Sequence, residues 1–317
     1  MDTRLTSGSV PQQLALLAAP LLLGNILQQL YNTIDAFVIA RYAGSMEFAA
    51  VGVAASVMNL FLSAIVDSCS GLSVIFAQHY CARDTAAFRR GHFLTVVFGT
   101  AAVCLLSIAG LLCLTPLLRL IRTPEEIRSF ATAYLRIILA GLPAAFLYNF
   151  YSALLRSVGS TSAAVAVLAA AAAANLGLDI LFVAALDMGV EGAAQATVLA
   201  QILSALLAGG YLRRRYPQLM FRLEDCRMDL PLLGKTARYA CTTALHQSGL
   251  YIGKLCVQGA VNSGGTGLIT AFTDTTRIEA FANSFGDSGA SATAILTAQN
   301  WGHGNRNECG RLSARAL

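Results

Sequence analysis

Charge is what this chain has least of. Only 12% of its 317 residues are Asp, Glu, Lys or Arg, against about 25% in ordinary soluble domains. That shortage excludes a typical water-soluble globule. The signatures of soluble enzymes are missing as well: there is no GxSxG, no HExxH and no GxxxxGK[ST] phosphate loop, so no enzymatic activity and no cofactor is expected. The eight cysteines, at 69, 81, 104, 113, 226, 241, 256 and 309, include no CxxC pair. A disulfide framework and a thiolate metal site are therefore unsupported, and the thiols read as small polarizable packing groups. No strongly basic leader precedes the first apolar run, so no cleavable signal peptide is expected.

What is present is apolar: 56% of the residues are hydrophobic. They gather into eight runs, roughly 15–40, 49–78, 92–118, 130–155, 162–186, 190–212, 237–262 and 267–299. Each is near or above the roughly 20 residues that a helix needs to cross a bilayer. The runs are too long and continuous for the alternation of barrel strands. The expected fold class is all-α and integral to the membrane, with lipid as an obligatory partner.

The net charge of +5 is informative by location. With the N-terminus placed in the cytoplasm, fifteen Lys and Arg fall in inner segments and four in outer ones (Arg41, Arg119, Arg122, Arg128). Such an excess orients the first segment inward. The basic runs are thus topology signals rather than a nucleic-acid footprint, and the expected location is the cytoplasmic membrane with multiple passes.

The longest polar stretch, 213–236, contains two prolines and dense charge. It divides the chain into an N-terminal six-helix lobe (1–212), a cytoplasmic linker (213–236) and a partial second lobe (237–317). The second lobe restarts the first. FAQHYCARDTAAFRRG closes span 2, TAQNWGHGNRNECGRL closes span 8, and Gln78 pairs with Gln299. Repeats with sites near the bilayer midplane mark secondary transporters. Two lobes of six spans would need about twelve, so the chain is expected to be part of a longer protein.

Two acids stand apart inside these runs. Asp35 lies in LLLGNILQQLYNTIDAFVIA, and Asp179 lies one turn after Asn175 in VLAAAAAANLGLDILFVAAL. A carboxylate at the bilayer centre costs about 2.5–3.5 kcal/mol on insertion scales. No basic residue lies within a turn of either acid. Acids so placed usually serve the movement of ions or protons, and that role is expected of both. Other polar faces have blander readings. Ser, Thr, Asn and Gln in spans often bond helix to helix. Asp274 and Arg277 are one turn apart and can neutralise each other, and Lys254 can pair with an acid of span 8. Asp67 and Asp287 can face cytoplasmic water. His79, His92 and His303 fall in or beside connections. Tyr31, Tyr148 and Tyr151 can meet flat cations or simply pack.

Several segments resemble the multidrug and toxic compound extrusion (MATE) family. PLLLGNILQQLYNTIDAFVIARYAG is similar to its first helix, and LLRSVGSTSAA to its connection between helices 4 and 5. NLGLDILFVAALDMGVEGAAQAT is similar to its passage from helix 5 to helix 6, and TAQNWGHGNR to the turn after helix 8. The resemblance implies two six-helix lobes around a central cavity. In prokaryotic relatives with an acidic first helix it implies a cation site within the first lobe. Asp35, Asn175, Asp179 and Thr197 match its ligands, and Gln28, Tyr31, Tyr134 and Asn149 match residues that line or support it. Pro20 matches a helix-bending proline.

The implied activity is an H+- or Na+-coupled antiporter that exports small organic, often cationic, compounds and is monomeric when complete. No metal beyond Na+ is implied. Departures exist: His303 replaces the usual Ala of the turn, SAAV opens helix 5 where a proline is common, and helix 7 carries no acid. Two rivals remain at this level. One is a lipid-linked oligosaccharide flippase, disfavoured because six acids outnumber three bases within the spans. The other is a membrane fragment that transports nothing by itself.

Overall fold

The computed structural model describes residues 10–262 and 266–303, except for scattered side chains within them. Among these residues there are only helices and turns. The chain runs α1 (Val10–Tyr42), α2 (Ser45–Cys81), α3 (Thr85–Leu94), α4 (Thr100–Leu120), α5 (Glu125–Ala140), α6 (Leu142–Ser157), α7 (Thr161–Asp179), α8 (Gly189–Arg215), α9 (Leu230–Asn262) and α10 (Thr266–His303). All eight expected runs lie on helices, but three of those runs are not single ideal rods.

The third and fifth runs each contain a π-helical stretch. Thr95–Gly99 joins α3 to α4, and Ile180–Ala185 extends α7. The fourth run is the pair α5–α6, bent by 49°. The sequence explains the bend: Gly141 ends one helix, and Pro143 lies in the first turn of the next, where its missing N–H costs nothing. In contrast, α1 runs unbroken through Pro20. Among the described residues, five helices are long and apolar enough to cross a membrane, six if the bent pair counts as one span. The helices α9 and α10 are long, at 33 and 38 residues, but they fall short in apolarity. Their polar residues, including Lys254, Glu279, Asn283 and Asp287, lower it.

The core forms where α2, α5, α6 and α8 meet. Phe76 packs edge-on against Phe88 at 4.9 Å and Phe150 at 5.8 Å, and Phe146 stacks on Phe150 at 6.0 Å. Leu135, Leu139 and Leu142 complete it, fully buried. The described contacts of α9 and α10 with α1 and α2 run from one end of the bundle to about the middle of α1, where Asn25 Nδ2 donates to Ser288 Oγ at 2.9 Å. Leu17 of α1 packs with Ala292, Ile295 and Leu296 of α10. Thr243 Oγ1 donates to the Asp67 carbonyl at 2.7 Å, and Gln299 Nε2 donates to the Ser157 carbonyl at 2.9 Å. Gly71 is required here, because a Cβ would collide with the Tyr239 carbonyl. Toward the other end, Ile252, Val257, Ile278 and Phe281 are exposed.

The polar stretch expected at 213–236 is shorter in the structure. Residues 213–215 end α8, and α9 begins at Leu230. The reason is a cap: Asp229 Oδ1 accepts from Leu232 N at 3.1 Å, satisfying an N-terminal donor. The remaining connection is tied to α3. Arg89 Nε donates to Asp225 Oδ2 at 2.8 Å, and Arg222 N reaches the same oxygen at 3.0 Å. His92, expected beside a connection, is fully buried. It is ringed by Phe150, Tyr151 and Phe221 at 5.0–5.8 Å.

Burial pushes the Asp225 carboxyl up, but the hydrogen bonds from Arg89 and Arg222 and the charges of Arg89 and Arg90 outweigh it, and the group sits below the usual carboxylate range. Its stabilising contribution is therefore complete above the unfolded value of about 3.9 and is lost as pH falls through the lower folded value. Asp225→Asn should destabilise the detergent-solubilised chain at pH 7 by about 1.5–3 kcal/mol, the worth of charged hydrogen bonds. Melting curves against pH should show the parent and variant converging below pH 4; a gap that persists there would mean that charge is not the cause.

Candidate functional site

The site is assembled by α1, α7 and α8, which pack on one another. Asp35 sits in the second half of α1, and Asp179 is the last residue of α7 before the π-helical stretch. Asp35 and Asp179 lie close enough for each to act on the other's carboxyl group. Asp179 is 1% exposed and Asn175, one turn earlier on the same face, is 2% exposed.

The polar satisfaction of this cluster is unusual. Asp35 Oδ1, both Asp179 oxygens and Asn175 Nδ2 are buried, and none has a conventional hydrogen-bond partner among the described residues. Two carboxylates are acceptors only. A contact between them holds only when one keeps its proton or a cation lies between them. Buried side-chain polar atoms are mostly paired; of the four here, three are carboxyl oxygens that accept and one, Asn175 Nδ2, donates.

The other expected residues contribute unequally. Thr197 is buried on α8, but no hydrogen bond joins it to Asp35, Asn175 or Asp179 among the described residues. Gln28 lies on α1, two turns before Asp35. Tyr134 is buried on α5. Asn149 Nδ2 donates one N–H to the Ala145 carbonyl of its own helix at 2.8 Å, which leaves its second N–H and its carbonyl oxygen. The Tyr31 side chain lies outside the described residues, as do those of Asp274 and Arg277. Tyr148 and Tyr151 pack against the core. Lys254 pairs with Glu279 of α10 at 3.0 Å.

Sequence reading missed Glu47. Its Oε2 accepts from Val190 N, the second residue of α8, at 2.9 Å, placing a negative charge at a helix N-terminus. Gly189 is needed for this. Its φ of 55° is left-handed, and a Cβ would run into the Glu47 carboxylate. The Gly-Val start of α8 was readable as a turn, but the partner lies 143 residues away in sequence and no local signal connects them.

Comparisons with known proteins follow the same lines. The family model described as MatE matches residues 20–181. The probable multidrug resistance protein YpnP of Bacillus subtilis (strain 168) is 28% identical over 302 residues, covering 95% of this chain and 67% of its own length. The probable multidrug resistance protein YoeA of the same organism is 26% identical over 311 residues, covering 96% and 66%. A solved outward-facing multidrug resistance MATE family transporter of the MOP superfamily superposes with a TM-score of 0.89 at 24% identity, over 99% of this chain and 70% of that one. The chain therefore spans about two thirds of the length of the two Bacillus relatives.

If Glu47 fixes the start of α8, Glu47→Ala should cost about 0.5–2 kcal/mol, the usual worth of a lost helix cap. Chemical unfolding in detergent is the measurement. An unchanged midpoint in Glu47→Ala would show that α8 is held by packing alone.

Proposed function

Because the chain belongs to the MatE family of membrane transporters, we propose that it works in a cation-coupled antiporter that exports small organic compounds across the cytoplasmic membrane. The coupling ion is H+ or Na+, and it binds between Asp35 and Asp179. The observation that carries this reading is the close carboxyl pair with no donor among the described residues. One proton between the oxygens, or one Na+ against them, relieves the repulsion. Asn175 can turn its carbonyl to such an ion, and Thr197 can supply a hydroxyl after a small adjustment of α8. Oxygen ligands of this kind suit a hard cation.

The basic residues support an orientation with the N-terminus inside. In that frame the end where α9 and α10 meet α1 and α2 is cytoplasmic. Contacts closed there, with exposed apolar residues toward the other end, agree with a chain whose two parts meet on the cytoplasmic side and part toward the outside. Transport would alternate this arrangement with its opposite. Ion binding that favours one arrangement shifts the balance only by its differential affinity for the two.

Two experiments test the reading. In a membrane containing the full transporter, Asp35→Asn and Asp179→Asn should each abolish ion-driven efflux at normal membrane abundance, since neutralising a membrane acid eases insertion. Separately, a ligand at a hundred times its dissociation constant stabilises the bound form by about 2.7 kcal/mol. Na+ titration of the purified chain should raise its melting temperature if Na+ is the coupling ion, and Asp35→Asn should remove that rise. Efflux at parental rates in either Asn variant would sink the assignment of this site.

A further inference from the structure

Arg136 is a base inside a membrane span with no acid to meet it. Lys254 pairs with Glu279, but the Arg136 side chain makes no hydrogen bond and no ion pair among the described residues, and it is exposed. It comes eleven residues after Glu125, the first residue of α5, about 16 Å along the helix at 1.5 Å per residue. It lies only a little before the bend at Gly141, near the middle of the α5–α6 span. Snorkelling serves long side chains near helix ends, and Arg136 is about three turns from one. An arginine at that depth faces a bundle interior or a water-filled cavity, because lipid offers its donors nothing. The rest of the face agrees. Glu125, Arg128, Ser129, Thr132, Ala133 and Arg136 line one open hollow of about 510 Å³, recurring every three or four residues along one side of α5. The opposite side, with Ile127, Ala131, Leu135 and Ile138, is buried. At the Glu125 end charge is already balanced. Arg128 Nη1 donates to Glu125 Oε1 at 3.2 Å, and Nη2 to the Thr123 carbonyl at 3.0 Å. Thr132 Oγ1 donates to the Arg128 carbonyl at 2.7 Å. The deep end of the hollow keeps one uncompensated guanidinium.

We propose that this hollow binds the exported compound and selects compounds carrying one carboxylate, which Arg136 receives. The proposal rests on the transport reading and names its substrate class. A guanidinium holds a carboxylate through two parallel N–H···O bonds. One uncompensated positive charge balances a monocarboxylate, whereas a phosphate monoester brings about −1.5 to −2 and stays unbalanced. The small side chains of Ala133 and Ser129 leave room for the body of the compound along α5. The cation site stands on other elements. Asp35 and Asp179 are carried by α1 and α7, while α5 packs on α2, α4 and α8. Ion and compound are therefore taken with opposite charges by different helices, so the ion does not compete with the compound for one charged group.

The test compares two fluorescent probes of nearly equal size, dansylglycine, which carries a free carboxylate, and its methyl ester, which does not. Binding is read by fluorescence polarisation with the full chain in lipid nanodiscs, corrected against empty nanodiscs. The acid should bind about 10-fold or more tightly than the ester, as expected for hydrogen bonds to a charged group. Arg136→Gln should bring the acid to the affinity of the ester and leave the ester within about twofold, and Arg136→Lys should restore part of the difference. Equal affinity of the parent chain for the two probes overturns the proposal, as does an acid that fails to bind, or an Arg136→Gln variant that weakens both probes alike. A second readout needs no ligand. In Arg136→Cys, with the native cysteines kept, a membrane-impermeant thiol reagent should label the new thiol, located by mass spectrometry. A thiol at 136 that resists the reagent while exposed Cys226 is labelled shows that the face meets lipid, and overturns the site. Preference for the acid in a transporter without ion-driven efflux sinks the transport reading alone. Ion-driven efflux with no preference for the acid sinks this site alone.

Discussion

Two carboxyl groups that cannot both keep their charge set the terms for the rest of this molecule. Asp35 and Asp179 are held together by the packing of α1 against α7, not by a partner that neutralises them. Rigid apolar packing around the pair, and α8 anchored by Glu47, hold it in place. A looser bundle would let the two acids separate toward water.

The hydrogen bonds that join α9 and α10 to the other helices are of another kind. Thr243, Gln299 and Asn25 all donate from side chains to carbonyl oxygens of neighbouring helices. The Asp67 and Ser284 oxygens lie within helices and can accept a second bond, so those contacts add only about 1 kcal/mol net; the Ser157 oxygen, at the last residue of α6, has no donor from its own helix and depends more on Gln299. Seams of this type give a defined closed position without a large barrier to leaving it. The main core differs. Phe76, Phe88 and Phe150 interlock in close contact, and an opening there would expose large aromatic surfaces.

Much of the fold was legible because apolar runs of membrane length leave few alternatives. The carboxyl pair was legible for the same reason: an acid in such a run has no cheap explanation. What escaped was long-range or subtle. The start of α9 was placed too late because Asp229 looked like one more charge in a polar stretch, whereas its side chain is a helix cap. The bend at Gly141 and Pro143 was hidden inside one continuous apolar run. His92 was read as lying in or beside a connection, yet Phe221 and Leu219 fold over it from more than a hundred residues away. Thr197 came from a family resemblance, and its burial on α8 agrees with that, but its link to the acids is not drawn by any hydrogen bond among the described residues.

The π-helical stretch after Asp179 has one more consequence. An α-helix advances its side chains by about 100° per residue, so a wheel drawn from Thr161 assigns a face to each later position. Ile180–Ala185 winds more loosely, and beyond it that wheel points in the wrong direction. Val183, four residues after Asp179, is still buried, while Ile180 and Leu181 face outward. A designer who extrapolates an α-helical wheel through Ile180–Ala185 would accumulate error in assigning faces, in a segment that begins directly after Asp179.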